Sequence, residues 1–129
     1  METNNKVTHI LAQRREQNLI DQKKRINEVY KKIPSMESLD KNIRELGYII
    51  IQDGLKGDDT EKKENDLKQL RIEKARILEA NGFEKDYMEI RYHHPICKDT
   101  GFVGTKMCSC RKQLIIDQNY SQSNIRSLI

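Results

Sequence analysis

The sequence predicts a small, mainly α-helical domain with a long N-terminal helix and a short loop or β-hairpin, held together by its cysteines, near the C-terminus. Apolar residues recur at helical spacing through most of the chain before Ala80. Glycine and proline, which end helices, are confined in that part to Pro34, Gly47, Gly54 and Gly57. All three cysteines fall within residues 97–110, so this segment is expected to be irregular and fixed by side-chain chemistry.

Four helices are expected. Residues 6–33 contain no glycine or proline and predict one long helix, whose last apolar residues share one face. Residues 36–52 and 60–80 each carry a helical apolar stripe, and a loop rich in glycine and aspartate separates them. A last helix is expected over residues 111–120, and residues 121–129 are expected to begin a linker.

Composition favours a water-soluble chain of one domain. The 129 residues are 34% charged, and no apolar run approaches the ~20 residues that span a membrane, so no membrane partner is expected. The first residues are polar and lack a signal-peptide core, which with clustered thiols predicts a cytoplasmic location. Residues 1–33 and 91–129 each carry a basic excess of four, and the middle of the chain is slightly acidic, which leaves a net charge of +4. A dedicated DNA-binding domain is usually more basic than this and carries its charge on one face.

The pattern with the clearest chemical meaning lies in residues 92–110. Two close pairs of donors, H-x-x-C and C-x-C, flank the turn segment 98–107. Such pairs on a short loop are typical of a tetrahedral zinc ion, with His93 as a rival for the histidine position. The expected ligands are His94, Cys97, Cys108 and Cys110. The predicted fold class is therefore a helical domain with a zinc-stapled loop or hairpin, in which the strands would surround Gly104.

The expected metal is structural, and no catalytic residue is predicted. Three thiolates and one imidazole fill a tetrahedron and leave no position for water. The chain lacks the H-E-x-x-H motif, which would supply a general base, and the P-C-x-x-C motif of zinc deaminases. Incidental or redox-active thiols remain the alternative interpretation of the cysteines. Basic residues flank the site and could offset the net negative charge of three thiolates: Lys98, Lys106, Arg111 and Lys112.

Further motifs accompany the ligand pairs. They are Cys97-Lys98-Asp99-Thr100-Gly101, Cys108-Ser109-Cys110, residues 113–116 and 120–124, and, near the N-terminus, Arg14-Arg15 and residues 28–34. Together they resemble the N-terminal part of the bacterial DnaI-type (DnaI/DnaC-like) replicative helicase loaders, and the resemblance covers nearly the whole chain. It implies that residues 1–120 form a zinc-containing helical module that grips the hexameric replicative helicase. An ATP-binding AAA+ domain would follow the linker at 121–129.

The implied function is that of an adaptor in loading the helicase onto DNA at the initiation or restart of replication. The family usually has cysteine where this chain has His94, although Cys₃His is also a normal zinc ligand set. Asp99, Thr100 and Gly101 would form the turn between the pairs or support the ligands. The chain lacks G-x-x-x-x-G-K-[ST], since residues 101–106 place their glycines too close together, so neither nucleotide binding nor ATPase activity is expected of it.

The first half of the N-terminal helix is the expected partner surface. Its apolar residues lie on a segment too polar to be held well by its own domain, and such amphipathic helices commonly bind in a partner's groove. An arginine pair between the apolar clusters is expected to meet acidic groups of the helicase. The residues are Val7, Ile10, Leu11, Arg14, Arg15, Leu19 and Ile20. The alternative left open is that they pack on the third helix of their own domain.

Two other functions remain open. A zinc-stabilised nucleic-acid-binding module would use the basic residues around the cysteines, although few aromatic residues are placed to stack bases. Single-stranded DNA would also be a partner of the full-length loader. A thiol redox sensor or metal-responsive switch would use the cysteines themselves.

Overall fold

The computed structural model describes residues 2–127, with side chains described as far as residue 121. The predicted fold class is confirmed: the chain is mainly helical, with a long first helix and a short antiparallel hairpin near the C-terminus. The elements are α1 (Glu2–Lys32), α2 (Ser35–Leu55), α3 (Glu61–Ala80), β1 (Phe102–Val103), β2 (Lys106–Met107) and α4 (Ser109–Ser127). None of the helices described is both long and apolar enough to cross a membrane.

Helix ends follow the glycine and proline positions. Pro34 separates α1 from α2, and Gly57 and Gly82 adopt positive φ angles just after α2 and α3. The predicted end at residue 120 is wrong for the last helix, because α4 continues to Ser127. Residues 121–127 contain neither glycine nor proline, so nothing in them ends the helix. Residues 128 and 129 of the expected linker lie outside the described part of the chain.

The chain divides into two compact units, Met1–Gln22 with Ile90–Ile129 and Lys23–Glu89. The second unit contains the end of α1 and the antiparallel hairpin of α2 and α3. Its core consists of Val29, Ile33, Met36, Leu78 and Met88. A buried carboxylate lies beside this core: the Tyr30 hydroxyl donates to Asp40 (2.6 Å), and the Lys74 ammonium pairs with the other oxygen of Asp40 (2.6 Å). Burial, reinforced by this hydrogen bond, raises the pKa of Tyr30 to about 12.

The first unit places the start of α1 against the cysteine segment. Val7 and Leu11 are fully buried, and the nearest Leu11 methyl lies only 2.7 Å from where a Cβ at Gly101 would stand. Arg111 of α4 donates to the Thr8 hydroxyl (2.9 Å) on the same part of α1. The segment is therefore held by its own unit, contrary to the expectation from its polarity. In this conformation Val7 and Leu11 offer no surface to a partner.

Candidate metal centre

The loop between the two ligand pairs reverses the chain through an unusual backbone. Lys98 and Asp99 both adopt left-handed conformations (φ 55° and 60°), and Gly101 follows with φ 84°. The Thr100 hydroxyl donates to the Cys97 carbonyl (2.7 Å), which closes the turn. Left-handed residues with a Cβ cost about 1–2 kcal/mol each, so the surrounding contacts must hold them.

The hairpin then carries the chain back to the first ligand pair. Phe102 pairs with Met107 and Val103 with Lys106, as predicted around Gly104, which supplies a positive φ of 64° at the turn. The Cys108 amide donates to the Gly101 carbonyl (2.8 Å), so the second pair begins beside the end of the loop. Helix α4 starts at Ser109 and fixes the position of the last cysteine.

The four predicted ligands meet in one cluster. They are His94, Cys97, Cys108 and Cys110, and their donor atoms all lie within 4.8 Å of one another. The His94 Nδ1 atom is 3.5 Å from the Cys97 sulfur and 3.4 Å from the Cys108 sulfur, and the sulfurs of Cys97 and Cys110 are 3.3 Å apart. This cluster can hold one metal ion.

Comparison with a tetrahedral ion tests the fit. Zinc bonded to sulfur at about 2.3 Å and to nitrogen at about 2.0 Å would separate sulfur from nitrogen by about 3.5 Å and sulfur from sulfur by about 3.8 Å. The His94 Nδ1 separations from the Cys97 and Cys108 sulfurs match these values, and the Cys97–Cys110 sulfur–sulfur separation would need to widen by about 0.5 Å. Cys97 and Cys108 are buried, as are most ligands of closed sites.

The two adjacent histidines lie in different surroundings. His94 contributes its Nδ1 atom to the cluster and is half-buried. His93 is exposed and lines a shallow surface depression with Ile10, Arg14 and Ile20 of α1. Of the two rivals, the structure therefore brings only His94 together with the cysteines.

Asp99 organises the loop from its centre. The side chain is fully buried and accepts three hydrogen bonds, from the backbone amides of His93 (2.9 Å) and His94 (2.8 Å) and from the Asn18 side chain (2.7 Å). Burial by itself would raise the pKa of Asp99, but these hydrogen bonds outweigh it and leave the pKa below its ordinary value. The charged carboxylate thus fixes the backbone of the histidine ligand and ties the loop to α1.

Comparisons with known protein families, with curated proteins and with solved structures found no match for this chain. The site is therefore interpreted from its own geometry and from the sequence motifs. The cluster offers three sulfur donors and one imidazole nitrogen.

The thiols sit in unequal environments. Burial, followed by hydrogen bonds that the Cys110 thiol makes with Cys97 and Cys108, raises the pKa of Cys110 to about 12. The pKa of Cys108 is lowered, first by a hydrogen bond from the backbone amide of Cys110. A metal ion that binds all three sulfurs must displace their protons, so its affinity will depend on pH.

The basic residues predicted beside the site divide into two kinds. Lys98, Lys106 and Lys112 are exposed. Arg111 is buried, its Nε atom has no hydrogen-bond partner, and its guanidinium lies 5.2 Å from the centre of the Phe102 ring. This guanidinium is therefore held within the unit and lies against one face of the Phe102 ring, which is still 44% exposed.

The residues predicted to contact a partner differ in how exposed they are. Leu19 and Ile20 are exposed, Ile10 and Arg14 are half-buried, and Arg15 donates to the Asp99 carbonyl (2.8 Å). Sequence reasoning missed the buried Asn18, because an asparagine within a polar stretch of helix gives no signal of burial. It also assigned Arg15 to the partner surface and did not foresee that this side chain donates a hydrogen bond to the Asp99 carbonyl.

Proposed function

We propose that the chain binds one structural zinc ion through His94, Cys97, Cys108 and Cys110. The convergence of four donor atoms within 4.8 Å carries the proposal. Thiolates with one imidazole suit zinc among the common protein metals, and a set of four leaves no open position for substrate. Asp99 is not placed as a general base, because three N–H groups already occupy its oxygens. The proposed role is therefore support of the fold, without catalysis.

Elemental analysis tests the metal. Protein purified under reducing conditions should contain one zinc per chain, and Cys108→Ser should lose most of it. His93→Gln is the matched control for His94→Gln: the first should keep the zinc and the second should lower its affinity. A well-folded chain that contains no metal would overturn the proposal.

We further propose that this zinc-stapled unit is the helicase-binding adaptor of a replicative helicase loader in the cytoplasm. The resemblance at residues 97–101 and 108–110 supports this role, and the exposed side of α1 supplies a surface for it. Because Val7 and Leu11 are buried, the proposed contact centres on Leu19 and Ile20, which are exposed apolar residues.

Titration against the replicative hexameric helicase of the same organism tests this role, with single-stranded DNA as the competing ligand. Leu19→Ser combined with Ile20→Ser should weaken helicase binding at least tenfold, since each apolar side chain buried at an interface contributes about 1–2 kcal/mol. The thermal midpoint should stay nearly unchanged because both residues are exposed. The matched control is Ile116→Ser, an exposed residue on α4. Binding to DNA but not to the helicase would favour the nucleic-acid function instead.

A further inference from the structure

A small pocket of the first unit is lined by α1 on one side and by the loop between the two ligand pairs on another. Its volume is about 290 Å³, and its apolar side chains are Leu19, Ile90 and Tyr92. Lys98 and Thr100 of the loop also line it. This volume is just below the range of about 300–1,000 Å³ that small-molecule and cofactor sites occupy. The pocket therefore suits one or two side chains of a protein partner better than a cofactor.

Hydrogen bonds to the loop fix the α1 side of this pocket. Arg15 donates to the Asp99 carbonyl (2.8 Å), and the buried Asn18 donates to the Asp99 carboxylate (2.7 Å). Both contacts join α1 to the loop, so the lining is in place before a partner binds. A preformed pocket lowers the conformational entropy that binding costs.

The charged side chains that line the pocket are both positive. They are Arg15 and Lys98, and among the described residues no acidic side chain lines it. The carboxylate that Asn18 contacts, Asp99, is fully buried and accepts its other hydrogen bonds from backbone amides. A guanidinium has five N–H groups and often binds a carboxylate with two of them. The lining is therefore complementary to an apolar side chain that has a carboxylate beside it.

Lys98 occupies a backbone position that lysine does not favour. Its φ of 55° lies in the left-handed region, where glycine and asparagine are the usual residues. The hydrogen bonds of Asp99 account for the next left-handed residue, but the Lys98 side chain is exposed at the pocket. Strained residues of this kind are concentrated where proteins bind ligands. The conformation therefore supports a binding role for this lysine.

We propose that the pocket receives an apolar side chain of the helicase that lies next to an aspartate or glutamate, and that Arg15 and Lys98 bind the acid. The inference rests on the proposed adaptor function and names the chemistry of the segment that the adaptor binds. Leu19, which is 58% exposed, becomes buried against the incoming side chain. The mode combines an apolar anchor with recognition of an acidic motif by basic residues.

The two kinds of contact should affect different rate constants. Lys98 is an exposed charge, so Lys98→Glu should slow association about fivefold or more and reduce the salt dependence of the association rate. Leu19 supplies apolar contact, so Leu19→Ala should speed dissociation about fivefold and leave association nearly unchanged.

Surface plasmon resonance with the full, zinc-loaded chain and the hexameric helicase of the same organism measures both rates. Lys112→Glu is the control for the charge, since this lysine is exposed on α4 and does not line the pocket. Ile116→Ala is the control for the apolar contact, because Ile116 is as exposed as Leu19 (58%). Both controls should keep the rates of the parent. Circular dichroism and zinc content should match the parent in all four variants, because the four side chains are exposed.

Overlapping peptides that cover the helicase sequence identify the bound segment. The peptides that bind the parent but not Lys98→Glu should contain an apolar residue beside an aspartate or glutamate. Replacement of that acid by its amide should weaken binding about tenfold. Bound peptides that lack an acidic residue would overturn the proposal.

The other outcomes separate this inference from the adaptor function. A helicase that binds the parent, Lys98→Glu and Leu19→Ala with equal rates overturns the pocket and leaves the adaptor function standing, whereas a helicase that does not bind the parent overturns both. Oligothymidylate binding that Lys98→Glu abolishes, with helicase binding unchanged, would assign the pocket to nucleic acid. A dimer in sedimentation equilibrium that Leu19→Ala dissociates, again with helicase binding unchanged, would assign it to a second copy of the chain. Either result overturns the proposal.

Discussion

Replacement of Gly101 by alanine should destabilise the first unit through two separable effects. The residue has φ 84°, where a Cβ is unfavourable, and its Cβ would stand 2.7 Å from a Leu11 methyl and 3.2 Å from the Arg111 side chain. Leu11 is only 1% exposed, so it has little room to move away. The conformational effect should cost about 1–2 kcal/mol, and overpacking should add about 1–3 kcal/mol.

Gly104→Ala separates the two effects. Gly104 also has a positive φ (64°), but nothing lies within 4 Å of its missing Cβ. This control should therefore lose only about 1–2 kcal/mol. Denaturant unfolding, followed by a probe that reports on the first unit, gives the free energies of unfolding of both variants.

A double-mutant cycle then tests the contact itself. Leu11→Ala alone should cost about 2–5 kcal/mol, because it removes a fully buried side chain. In the double variant the clash is absent, so its cost should fall short of the sum of the single costs by about 1–3 kcal/mol. Equal destabilisation by Gly101→Ala and Gly104→Ala, together with additive costs in the cycle, would refute the assigned packing of Leu11 on Gly101.

Three further outcomes are expected. Asp99→Asn should lower zinc affinity about 10–100-fold in a chelator competition, because a neutral amide cannot accept all three hydrogen bonds. The control, Asp117→Asn, changes an exposed carboxylate on α4 and should have little effect. Equal effects of the two substitutions would contradict the role of Asp99. Removal of zinc by a chelator should increase hydrogen exchange in residues 92–110 and leave α2 and α3 protected, whereas unchanged exchange would count against a structural metal. Because the pKa of Tyr30 is raised to about 12, the contribution of this group to stability should be complete below about pH 10 and disappear as pH rises through 12. In a spectrophotometric titration, Tyr30→Phe should remove the tyrosinate absorbance step near pH 12. If the step persists in this variant, it belongs to another tyrosine.

The fold class could be predicted because its signals are local. Helical spacing, together with glycine and proline positions, determines where helices run, and Gly104 between Phe102-Val103 and Lys106-Met107 indicates a hairpin. The ligand cluster was equally accessible, since the spacing of two donor pairs needs no knowledge of distant residues. The choice between His93 and His94 could not be made from the sequence, because it depends on how the Asp99 carboxylate holds the backbone amides of both residues.

The burial of Val7 and Leu11 could not be predicted because it depends on contacts between distant parts of the chain. This polar stretch of helix contains only a few apolar residues. That pattern is as typical of a partner-binding surface as of a helix packed within its own domain. The structure covers Leu11 with Gly101, far along the sequence, and a glycine adds no apolar signal of its own. The buried Asp40 escaped prediction for a similar reason, since its partners Tyr30 and Lys74 lie on two other helices.

Residues 92–110 are thus held at two levels that should reinforce each other. The donor cluster joins the two ends of the loop, and Asp99 fixes its centre by binding the amides beside the histidine ligand and the Asn18 side chain on α1. Because the hydrogen bonds of Asp99 set the position of the His94 backbone, they also set where its Nδ1 atom meets the sulfurs. A metal ion bound there stabilises the backbone on which Asp99 depends, and loss of either should weaken the other by the same free energy. We expect this reciprocity to help hold the two consecutive left-handed residues, Lys98 and Asp99, in place.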